Sequence, residues 1–138
     1  MIRKAVLLPV TPESAFQLFT TRISDWWPET HRPSRDPRGQ LSIDPAGRFW
    51  ERATDGREYE LGFVRVWQPP ALLVLDFYLG TDSSHPTSVT IRFESEPGGT
   101  RIRVEHSPTS ESLDLWDVRA PRYQASWDAV LAAFIQLP

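Results

Sequence analysis

The chain has 138 residues, 40% of them hydrophobic, and a formal net charge of −3 at pH 7. This length and apolar content suit one domain, spanning residues 1–138, with a sizeable core. The mixed, weakly acidic balance excludes general nucleic-acid binding, which needs a basic face. The absence of cysteine excludes disulfides, thiolate metal sites and a cysteine nucleophile.

Residues 2–10 (IRKAVLLPV) predict a first strand. Thr11 is a good helix cap and Pro12 suits the first helical position, so Ala15, Phe16, Leu18 and Phe19 form the apolar stripe of a short helix. TTRISDWWP predicts a second short helix, ended near Trp27 by Pro28. Residues 28–40 (PETHRPSRDPRGQ) predict a loop, either a lid or a solvated connector. Strands follow at LSI, RFWERA, YELGFVRVW, LLVLDFYLG, SVTIRFESE and TRIRVEHSP, separated by turns rich in proline and glycine.

Their alternation predicts a sheet with one wet face. Val89, Ile91 and Phe93 oppose Thr90, Arg92 and Glu94; Ile102 and Val104 oppose Arg101 and Arg103; Leu73, Leu75 and Phe77 oppose Asp76. The strand over Tyr59–Trp67 is ambiguous, being apolar on both sides. Tyr123, Trp127, Val130, Leu131, Phe134 and Ile135 recur at helical spacing, so a helix over about 120–136, with Pro121 in its first turn, covers the dry face. The class is α+β: a curved antiparallel sheet wrapped around a long C-terminal helix, with two short helices after the first strand. A bent sheet and one helix do not meet everywhere, which predicts an internal cavity.

Several stretches together are similar to a known group. Asp44-Pro45, Gly47-Arg48-Phe49, Glu51, Asp55-Gly56, Gly62, Val64, Trp67, Pro69-Pro70 and Leu72 form one ordered set. Gly99-Thr100, His106 and Ser126-Trp127 extend it, and Asp25-Trp26-Trp27 belongs to the opening helices. The set resembles the START-like (SRPBCC) superfamily, in the group named after the activator of Hsp90 ATPase. Ala46 and Ser126 stand where that group usually has glycine. The resemblance implies a helix-grip fold with a cavity between sheet and last helix. Relatives bind apolar molecules, and some are cyclases or dehydratases.

His106 ends a row that otherwise reads as core. It is a catalytic base, a metal ligand, a polar group in a cavity, or a packed histidine. Asp76, Asp114 and Asp117 are candidate partners, although Asp76 faces outward. Three scattered histidines make a poor metal site, and no nucleophile elbow, P-loop or dinucleotide fingerprint is present. Trp26, Trp27, Phe49, Phe77, His106, Trp116, Tyr123 and Trp127 are the candidate ligand contacts, with Trp26 and Trp27 divided between the core and the cavity mouth. Arg35, Arg38 and Arg119 are placed to attract an acidic ligand.

The expected function is non-catalytic binding of a small apolar or aromatic molecule in the cytoplasm, without metal or cofactor, nucleic acid or membrane span. The oligomeric state is left open. Two alternatives remain: a cyclase or hydratase using His106 with Tyr123, and a protein-interaction, co-chaperone-like module with a broad exposed apolar patch.

Overall fold

The computed structural model describes residues 1–136. Strand β1 (Ile2–Leu8) is followed by helix α1 (Pro12–Phe19). The Thr11 hydroxyl accepts the Ser14 N–H at 3.2 Å, so the cap forms as its residue type dictates. The second predicted helix shrinks to one 3-10 turn, Ile23–Asp25, and another such turn, Glu29–His31, lies within the proline-rich segment.

Six strands then run as a meander: β2 (Gln40–Ile43), β3 (Arg48–Arg52), β4 (Glu58–Gln68), β5 (Leu72–Phe77), β6 (Thr87–Glu96) and β7 (Gly99–Pro108). All neighbours are antiparallel, and β1 returns to pair with β7, giving the order β1-β7-β6-β5-β4-β3-β2. The seven strands curl into a half-barrel around helix α2 (Leu113–Ile135), a helix-grip arrangement.

Alternation sorts the two faces as the sequence predicts. Val89, Ile91, Phe93, Ile102 and Val104 are buried, while Arg92, Glu94 and Arg103 are exposed. On the outer face Arg103 pairs with Glu94, Arg101 with Glu96, and Arg65 with Asp76. Asp76 is thereby committed to an outward ion pair. The ambiguous β4 is resolved by two register irregularities, one against β3 and one against β5. Each adds a residue to the repeat. Its inward row becomes Leu61, Val64 and Trp67, spaced by three instead of two: Leu61 and Val64 are buried, and Trp67 meets Phe16 edge-to-face at 5.2 Å.

Three further element boundaries differ from expectation. Strand β1 ends at Leu8, leaving Pro9 and Val10 outside it. Helix α2 begins at Leu113 and carries Pro121 in its interior. An interior proline removes one N–H from the ladder and crowds the carbonyl four residues before it, a cost that the packing of α2 offsets here. Strand β5 stops at Phe77, because Leu79 and Gly80 leave the ladder to meet α2: Tyr123 donates its hydroxyl to the Leu79 carbonyl at 2.8 Å.

One end of the space under α2 is filled with rings. Trp26 packs on Phe134 at 4.6 Å and on Phe19 at 5.1 Å, and Phe16 meets Phe93 at 5.1 Å. Burial of one such side chain contributes about 1.5–3 kcal/mol, so this aromatic knot is a principal anchor between α1, α2 and the sheet.

Candidate functional site

At the other end of α2 the site is built around His106, which is fully buried. Strand pairing sets Val89 opposite His106 and Phe77 opposite Thr87, so His106, Thr87 and Phe77 lie on three adjacent strands. The Trp127 indole N–H, from α2, donates to His106 Nδ1 at 2.9 Å. An indole nitrogen can only donate, so Nδ1 carries no proton and the neutral ring is protonated at Nε2. Nε2–H then donates to Thr87 Oγ1 at 2.7 Å, and the Thr87 hydroxyl donates to the Phe77 carbonyl at 3.2 Å.

Rings enclose the imidazole on the remaining sides: Tyr123 at 4.2 Å, and Phe77 and Trp116 each at 5.4 Å. Burial, and secondarily the chain's amino terminus, lower the His106 pKa to about 3. The ring therefore stays neutral at physiological pH with both nitrogens engaged, and it offers no free lone pair to a substrate proton. Among the described residues, no group of histidine, aspartate and glutamate side chains is arranged to hold a metal ion.

Beside this cluster lies a cleft of about 410 Å³, open to solvent on one side. Trp27, Phe77, Tyr123 and Trp127 form its aromatic floor, with Leu79 and Val130 beside them. Thr30, His31, Arg32, Pro33 and Arg35 line it from the proline-rich segment; Arg119, Arg122 and Ser126 line it from α2. Burial, and then the Arg35 charge, hold His31 below the usual histidine range. Burial raises the Tyr123 pKa against the lowering effects of Thr87, Thr81 and Arg119.

Four of the eight candidate contacts thus share the cleft: Trp27, Phe77, Tyr123 and Trp127. The other four lie outside its lining. Trp26 belongs to the aromatic knot, while Phe49 packs edge-on against Trp27 at 5.7 Å from behind. Trp116 covers His106, and His106 itself sits behind Tyr123 and Trp127. The cavity observed beside α2 is a partly open cleft, bounded by α2, the end of β5 and the proline-rich segment.

The segment 28–40 is neither a loose connector nor built only of local turns. Arg32 is buried, and its guanidinium donates to the carbonyls of Ser24 (2.8 Å), Trp27 (3.0 and 3.2 Å) and Gly39. Farther along, the buried Glu51 carboxylate accepts the Ser34 hydroxyl at 2.6 Å and the Ser34 N–H at 3.0 Å. A buried arginine and a buried glutamate hold the wall of the cleft from two sides.

The family model for Activator of Hsp90 ATPase homolog 1-like protein matches residues 9–136. The chain belongs to this family. A search of curated proteins found no significant match. Among solved structures, CalC from Micromonospora echinospora, a self-sacrificing resistance protein, is similar with a TM-score of 0.70 at 22% identity, over 98% of this chain and 91% of its own. A protein from Mesorhizobium loti matches with a TM-score of 0.66 at 18% identity, covering 99% and 94% of the two chains. A member of the same family from Aeromonas hydrophila gives 0.66 at 18% identity, over 98% and 89%. At these identities the likeness concerns the fold.

Within this family fold, sequence reasoning gave no site role to Arg32, Thr87 and Arg122, and named Glu51 only as part of the resemblance. A glutamate on the inward side of RFWERA was the one available signal, since burial of a carboxylate demands a partner. Nothing local distinguished Arg32 from Arg35 and Arg38; which of them turns inward is decided by the fold of the segment. Arg38 is exposed and lies outside the cleft lining.

Proposed function

We propose that this family member is a cytoplasmic, non-catalytic protein that binds a small hydrophobic or aromatic molecule in the cleft beside α2. The observation carrying this reading is the floor of four rings, Trp27, Phe77, Tyr123 and Trp127, under a space of about 410 Å³. That volume lies within the ordinary range for small-molecule sites, and a floor of flat aromatic rings favours a ring or acyl chain. The cyclase or hydratase reading draws no support from His106, whose two nitrogens are occupied, or from the Tyr123 hydroxyl, which is bonded to Leu79.

The test is a panel of aromatic and acyl compounds screened by thermal shift and by quenching of tryptophan fluorescence, with Ser126→Trp as the cleft-filling variant. The expected result is a compound that raises the melting temperature of the native protein and fails to do so in the variant. If no compound stabilises the native protein, or if binders act equally on both, the cleft is not the binding site.

A further inference from the structure

Most arginines away from the cleft are ion-paired; among the described residues Arg3 and Arg38 are the exceptions. On the strands, Arg48, Arg52, Arg65, Arg92, Arg101 and Arg103 each hold a carboxylate, and Arg22 and Arg57 hold theirs in the turns. Arg35, Arg119 and Arg122 hold none among the described residues, and all three line the cleft. No aspartate or glutamate lines it with them among the described residues. In a protein whose net charge is −3, four guanidinium groups, Arg32 included, therefore share one cavity with no carboxylate among its described lining residues.

Their placement is built by the fold. Arg119 and Arg122 are three residues apart on α2, a spacing that puts side chains on the same side of a helix. Arg35 reaches the same cleft from the segment anchored by Arg32 and Glu51, with a backbone φ of 58°. Non-glycine residues seldom adopt this left-handed conformation, and where the surrounding structure enforces it a functional role is the natural hypothesis. Arg32 is also in the lining, but four of its five N–H donors go to backbone carbonyls, so it contributes charge more than hydrogen bonds.

We infer that the ligand of the cleft is an amphiphile with a carboxylate head: its apolar body rests on the four rings, and the head meets Arg35, Arg119 and Arg122. The inference rests on the binding reading above and narrows it to a substrate class. Planar guanidinium forks match a carboxylate in two-point hydrogen bonds, and these are stronger than neutral ones. Low-dielectric walls around a rim of one sign concentrate the field on an incoming anion.

The experiment uses three probes with the same ring system: naphthylacetate, naphthylethanol and naphthylethylamine, titrated calorimetrically into the full chain. The carboxylate is expected to bind about tenfold or more tightly than the alcohol, with the amine weakest. Added salt should weaken the carboxylate more than the alcohol. The double variant Arg119→Gln/Arg122→Gln should bring the ratio of carboxylate to alcohol affinity close to one. Arg38→Gln, outside the cleft, should keep the native ratio. If the carboxylate and alcohol bind the native protein equally, or the double variant keeps the native ratio, the anionic head is wrong and the aromatic cleft stands. If none of the three binds, the inference fails, and a negative wider panel removes the binding reading as well.

Discussion

The indole N–H of Trp127 points at the Nδ1 lone pair of His106 across 2.9 Å, joining the last helix to the last strand. This one bond determines the tautomer, because the opposite nitrogen must then carry the proton toward Thr87. The expected nitrogen NMR signature is a neutral ring protonated at Nε2 that persists from neutral pH to about pH 4, above the depressed pKa. A ring that titrates near 6.5, or one protonated at Nδ1, would contradict the arrangement.

The same burial sets a pH dependence of stability. The folded ring has a pKa of about 3 against an unfolded value of 6.5. Between those limits the unfolded chain binds a proton that the folded chain refuses, so stability is full above the unfolded value and falls as pH drops toward the folded one. From pH 7 to pH 5 this group alone removes about 2 kcal/mol. Urea denaturation should show that His106→Leu, although weaker at neutral pH, lacks this component over the interval. Parallel losses in the two proteins would overturn the assignment.

Arg32 is the keystone of the segment that walls the cleft. Arg32→Ala leaves the carbonyls of Ser24, Trp27 and Gly39 without their donor, and is expected to cost about 2–4 kcal/mol. It should also open residues 28–39 to protease. Arg38→Ala, at an exposed position, should stay within about 0.5 kcal/mol of the native protein. Equal stability and equal proteolysis of the two variants would show that the Arg32 network is not what holds the segment.

Gly62 marks the close approach of β4 to β5. A Cβ there would lie 2.1 Å from the Asp76 carbonyl oxygen, a backbone atom that cannot step aside without breaking the ladder. Gly62→Ala is expected to destabilise by more than about 2 kcal/mol. At Gly47 the nearest atom is the Asp44 Cβ at 3.6 Å, an ordinary contact, so Gly47→Ala should cost less than about 1 kcal/mol. Thermal or chemical melts of the two single variants give the comparison directly, and equal costs would refute the steric account.

Much of the architecture was legible from residue order. Alternation in β6 and β7, the cap at Thr11 and the helical spacing from Tyr123 to Phe134 are local patterns, in which each residue's role is set by neighbours a few positions away. They determined the meander, the dry face and the covering helix. The residues that turn a helix-grip fold into a site were not legible in this way. His106 finds its partners 19 and 21 residues away, at Thr87 and Trp127. The bulges of β4 depend on what its neighbouring strands demand, and the start of α2 depends on packing that tolerates Pro121.

By itself the sequence determined the fold class and the supply of aromatic rings. Only the tertiary structure decided that four of those rings face a lateral cleft, that the imidazole is closed behind them, and that Arg35 lines the same cleft as Arg119 and Arg122. Periodicity is written along the chain, whereas hydrogen-bond partners and shared charge across more than eighty residues exist only once the sheet has curled around its helix.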